Sequence, residues 1–178
     1  YNPPVDFDYS TTYFATLIPY NANGNATGCV EISFTTRDEP PVGSTCSNPI
    51  IVNPATLPYT TTDNTSLYGN DYSTSPCSNL YMGGDEVVYT ISPATNMSVD
   101  ILLSGLSDTY SAVHVLNGCP DVATTCVAYA GNSGSGNRDL QDVLLTGGTT
   151  YYIVISTWPD PQSVGYTLTI TENTCVNP

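Results

Sequence analysis

VLLTGGTTYYIVISTWPDPQSVGYTLTI, residues 143–170, holds two strand-like runs joined by a proline-bearing turn. In the second run Tyr166, Leu168 and Ile170 alternate with Thr167 and Thr169, the period of a sheet with one face buried. In the first, Tyr151, Ile153 and Ile155 share one face and Tyr152, Val154 and Ser156 the other, which fits a central strand covered on both sides. Gly147 and Gly148 turn the chain into it. The pattern predicts a β-hairpin closing an antiparallel sheet. Its connecting loop carries the only tryptophan, Trp158, beside Pro159 and Pro161, and is the first place to expect ligand contact.

The same grammar repeats along the chain. Short apolar or alternating runs at 50–52, 59–62, 87–91, 99–103, 112–116, 127–130, 140–145, 151–156 and 166–170 are separated by clusters of Gly, Pro, Asn and Asp, and no stretch has a helical period. Many short strands with close turn signals predict an all-β chain, an antiparallel β-sandwich of jelly-roll-like type. Two further runs, around Tyr13 to Ile18 and Val30 to Phe34, precede a polar, proline-bearing linker at 37–45.

Composition narrows the function classes. The 178 residues carry Lys plus Arg 2 against Asp plus Glu 16, a net charge of -14, so there is no cationic patch for nucleic acid or an anionic membrane surface. Six cysteines without a CxxC spacing and with one histidine argue for disulfides in an oxidising compartment rather than zinc or haem. No apolar run is long enough to span a bilayer, and the chain opens as mature or truncated material without a leader.

The string TTYFATLIPYNANGNATGCVEISFTT (11–36) resembles the last two strands of a fibronectin type III domain of secreted bacterial proteins. Two strands cannot bury their apolar faces alone, so residues 1–36 are expected to be the end of an incomplete domain. Residues 46–172 resemble the pre-peptidase C-terminal-like β-sandwich family in the form found in large surface proteins of the type IX secretion route. The likeness is carried by CSNPIIVNPATLPYTTTDNTSLYGNDY, GGDEVVYTISPATNMSVDILLSG, YSAVHVLNGCP and GGTTYYIVISTWPDPQSVGYTLTI. Residues 173–178 then read as the start of a following domain. The preferred disulfides are Cys46 with Cys77 and Cys119 with Cys126. Cys175 pairs either beyond Pro178 or with Cys29, since sequence cannot fix connectivity.

Catalytic signatures are absent from the sequence. His114 is the one candidate base, and it lies in a run with Ala112 and Leu116, where a structural role is expected. Asp85 and Glu86 are adjacent on a strand and point to opposite faces, so they are not a dyad. Calcium is the expected cofactor, as a structural ion: Asp63, Asn64, Asn70, Asp71, Asp85 and Glu86 offer oxygens from three turns. Asp139 and Asp142 beside Arg138 read as solvated surface. Ligand contact is expected at Trp158, Asp160, Gln162, Tyr68 and Tyr72, where an aromatic face can stack on a sugar and polar neighbours can bond its hydroxyls. The competing reading folds Trp158 back over the end of the core.

These readings converge on a non-enzymatic extracellular module of a large bacterial cell-surface or secreted protein, serving adhesion or spacing. The alternative is an ancillary carbohydrate-binding module of a secreted polysaccharide- or protein-degrading enzyme. The expected partners are neighbouring domains of the same chain and a glycan or surface protein, with no nucleic acid and no membrane insertion.

Overall fold

The computed structural model describes residues 6–122, 125–160 and 162–173, which form two units divided between Pro40 and Pro41. The first unit pairs β1 (Thr12–Thr16) with β4 (Glu31–Thr35) antiparallel, Phe14 opposite Ser33, and adds a two-residue hairpin of β2 (Tyr20–Asn21) and β3 (Gly24–Asn25). One face gathers the Phe7, Tyr13 and Phe34 rings at centroid distances of 4.5 to 5.9 Å. The same face carries Ile32, 63% exposed, and the other presents Phe14, 67% exposed.

The second unit is a sandwich of nine strands. In chain order these are β5 (Ile50–Val52), β6 (Tyr59–Asn64), β7 (Val87–Ile91), β8 (Met97–Ser104), β9 (Ser111–Leu116), β10 (Cys126–Asn132), β11 (Arg138–Leu145), β12 (Tyr151–Thr157) and β13 (Gly165–Glu172). One sheet has the order β10-β9-β12-β7-β5, the other β11-β8-β13-β6, and every pairing is antiparallel except β5 with β7. Alternation decides the core: Tyr89, Ile91, Val113, Val115, Ile153 and Ile155 of the first sheet meet Ile101, Leu103, Leu140, Leu145, Leu168 and Ile170 of the second.

The predicted hairpin of residues 143–170 is corrected by this topology. β12 is central, as its two apolar faces require, and its hydrogen bonds go to β9 on one side and β7 on the other. No edge is left for β13, which crosses to the opposite sheet and pairs with β6 and β8. The Trp158 loop is therefore a sheet-to-sheet crossover at one end of the sandwich.

The outer face of the five-stranded sheet is covered by a long irregular strap, residues 69–86, which builds a second apolar cluster of Tyr72 and Met82 on Val88, Leu116 and Val154. Two disulfides join this cluster, and they correct the expected pairing: Cys46 bonds Cys119 and Cys77 bonds Cys126. The reason is spatial. Cys77 lies on the strap over β10, and the bonded pairs have Cα separations of 5.9 and 5.0 Å, within disulfide range. Among the described residues Cys29 has no disulfide partner, and Cys175 lies outside them, as does most of the segment read as the start of a further domain.

The linker is also shorter than expected. Gly43 is already part of the sandwich, donating to Asn48 O and accepting from Val88 N, at a φ of 106° that suits glycine. A Cβ there would stand 2.8 Å from the Tyr68 ring and 2.9 Å from Ile50.

Candidate functional site

The crossover after β12 meets two other segments at the same end of the sandwich: the strap and the turn before β9. Trp158 N donates to Tyr110 O at 3.0 Å, and the two rings lie with centroids 5.5 Å apart, tilted by 55°. Trp158 is 37% and Tyr110 39% exposed, and neither belongs to either apolar cluster. The strap approaches closely because Gly83 and Gly84 both donate to Thr157 O. A Cβ on Gly84 would collide with Thr157 Oγ1 and lie 2.6 Å from Gln162 O. Glycine there is a requirement of packing.

Beside the rings sits a polar group. Asn70 Nδ2 donates to Asp160 Oδ1 at 3.0 Å and to Gly83 O at 3.2 Å. Gln162 Nε2 donates to Thr109 O, and Asp85 N donates to Gln162 O. Partial burial raises the Asp85 pKa, and the neighbouring Asp160 charge raises it further. Two carboxylates thus face one another with no cation between them among the described residues.

Glu86 holds the strap from beneath. It is fully buried, and its Oε1 accepts from Asp71 N at 2.5 Å and Tyr72 N at 3.0 Å, while Oε2 has no partner. Burial pushes its pKa up to about 8 against the pull of those two amides.

Of the residues read from sequence, Asn70, Asp85, Trp158, Asp160 and Gln162 come together at this end. The others do not. Tyr68 donates to Asp63 Oδ2 at 2.5 Å and packs its ring on the main core; Asn64 caps the following turn by accepting from Ser66 N. Tyr72 is buried, its hydroxyl accepting from Cys46 N at 2.9 Å, so its face is not open to a sugar. Asp71 lines a separate hollow of about 420 Å³ with Asp121 and the Cys46–Cys119 disulfide. Asp63 and Asn64 thus make their own local bonds, Glu86 is buried against the Asp71 amide, and no three His, Cys, Asp or Glu side chains gather in metal-binding range among the described residues.

His114 is buried under the strap, Nδ1 3.2 Å from Val154 O and Nε2 3.3 Å from the Asn79 amide, and burial lowers its pKa to about 4. Asp139 and Asp142 are exposed, and Arg138 beside them is buried. Its guanidinium donates to the carbonyls of Ser111, Asn132, Gly134 and Gly136, tying the glycine-rich β10–β11 loop. Tyr110 was not singled out by sequence; its signal is an aromatic residue after Asp108 and Thr109, at a φ of 49° that marks a tight turn.

No family model matches the chain, and no curated protein matches it. Solved structures similar in fold include the following three. The pre-peptidase C-terminal domain of a collagenase from Bacillus anthracis is 16% identical, over 68% of this chain and 93% of that one, with a TM-score of 0.46. A periplasmic inhibitor of g-type lysozyme from Aeromonas hydrophila is 10% identical, over 70% and 96%, at 0.39. Carbohydrate-binding module CBM36, in complex with calcium and xylotriose, is 17% identical, over 52% and 76%, at 0.34. The first shares its name with the family resemblance read from residues 46–172. At such identities and scores none of them assigns a function, and the all-β sandwich rests on the strands of this chain alone.

Proposed function

We propose that the chain is a non-catalytic extracellular module of a larger cell-surface or secreted bacterial protein, and that it adheres to a glycan through the Trp158 end of its sandwich. The single observation that carries this reading is the pair of exposed rings, Trp158 and Tyr110, standing beside Asn70, Asp85 and Asp160 instead of closing the core. An aromatic face covers the apolar side of a pyranose while carboxylates and amides bond its hydroxyls. Two disulfides support an oxidising compartment. The exposed Phe14 supports reading the first unit as strands of a fibronectin-like sandwich whose other strands cover its face. In the second reading the same end makes the chain an ancillary carbohydrate-binding module of a degradative enzyme; it shares the site and differs in the neighbouring domain.

Tryptophan fluorescence tests the site, because Trp158 is the only indole. A glycan ligand shifts the emission, and Trp158→Ala abolishes binding while leaving the melting midpoint near that of the parent. Absence of any shift across a glycan panel leaves only the spacer role. A divalent cation such as calcium would relieve the repulsion between Asp85 and Asp160. A melting midpoint that falls on chelation supports this, and an unchanged midpoint removes it.

A further inference from the structure

Building on the glycan reading of the Trp158 end, we infer that this site selects glycans presenting hydrogen-bond donors, neutral or amino sugars, and rejects uronates and sulfated chains. The inference comes from which hydrogen-bonding capacity is already used. Apart from the Trp158 indole N–H and the Tyr110 hydroxyl, the donors of the site are engaged internally: Asn70 Nδ2 on Gly83 O and Asp160 Oδ1, Gln162 Nε2 on Thr109 O, and the Trp158 backbone N–H on Tyr110 O. The acceptors are not. Among the described residues, Asp160 Oδ2 and both carboxylate oxygens of Asp85 take no protein hydrogen bond. What remains accessible beside the rings is an acceptor surface carrying negative charge.

Among the described residues of the sandwich no cationic side chain offsets that charge, since its one arginine, Arg138, is buried among carbonyls. A sugar hydroxyl donates to a carboxylate with a charge-assisted bond, and an ammonium adds Coulomb attraction. A uronate or sulfate oxygen meets the like charge of Asp85 and Asp160, which the neutral ring donors do not offset. The rings add a limit on shape. Because their planes are tilted by 55°, a flat ribbon cannot lie on both, so the ligand is a chain end or a twisted soluble chain, not the face of a crystalline polysaccharide.

The test titrates the full chain, in chelator and again with calcium, with neutral xylo- and cello-oligosaccharides, glucosamine oligomers and galacturonate oligomers, followed by Trp158 emission. Neutral and amino oligomers are expected to bind, the amino form more salt-sensitively, and galacturonate at least about tenfold more weakly. Asp160→Asn, at an exposed position, is expected to weaken neutral binding and narrow the gap to galacturonate, with an unchanged melting midpoint. Galacturonate binding as tightly as the neutral oligomers, with or without calcium, overturns the selectivity while leaving the Trp158 site standing. Emission that responds to none of the three overturns both.

Discussion

At the scale of single residues, Glu86 and His114 set opposite pH dependences. The Glu86 carboxyl is held protonated to about pH 8, whereas in the unfolded chain it ionises near 4.5. Its contribution to stability is complete below 4.5 and is lost as pH rises through 8, on the order of a few kcal/mol. His114, lowered from 6.5 to about 4, contributes fully above 6.5 and loses that contribution as pH falls toward 4. Glu86→Gln keeps an oxygen for the Asp71 and Tyr72 amides without the charge. Its melting midpoint, followed by circular dichroism from pH 5 to 9, is expected to decline less on the alkaline side than that of the parent. At the site itself, Gly84→Ala forces a methyl into Thr157 and the Gln162 carbonyl. It should destabilise by roughly 1–3 kcal/mol and weaken any Trp158-dependent binding.

Among elements, the strap at 69–86 is the one whose attachment matters most, since it carries Asn70 and Asp85 to the crossover that carries Asp160. Its covalent tie is Cys77–Cys126, closing 49 residues of chain. Replacing both cysteines by serine is expected to cost about 2–4 kcal/mol and to loosen the strap, seen as faster amide exchange at residues 70–82. Peptide mapping of the non-reduced protein should return Cys46 with Cys119 and Cys77 with Cys126. The β10–β11 loop depends on Arg138 in a comparable way. Arg138→Ala removes the donors that satisfy four carbonyls and should lower stability by roughly 2–4 kcal/mol in denaturant titration.

Over the whole molecule, a charge of -14 with the sandwich's one arginine buried leaves that unit's described surface without an accessible cationic side chain. Added salt should therefore raise the melting midpoint by screening self-repulsion, and DNA or anionic vesicles should not retain the protein. Strand positions were legible in the sequence because a period of two is written locally: residues 87–91 and 151–156 read as strands, and the alternation assigned Tyr166, Leu168 and Ile170 to the core. Alternation says which face is buried but not which strand lies alongside, so the hairpin of β12 with β13 gave way to a crossover between sheets. Cysteine spacing likewise counts the thiols without pairing them. Asn70 and Asp160 are 90 residues apart and meet only because the strap folds over the sheet, whereas Asp63, chosen with Asn70 for its similar turn, is held away by Tyr68. Local chemistry determined the all-β class, the acidic character and the candidate residue types. The tertiary structure alone decided which of them share a surface, because contacts between distant segments follow from packing two sheets and a strap around common apolar faces.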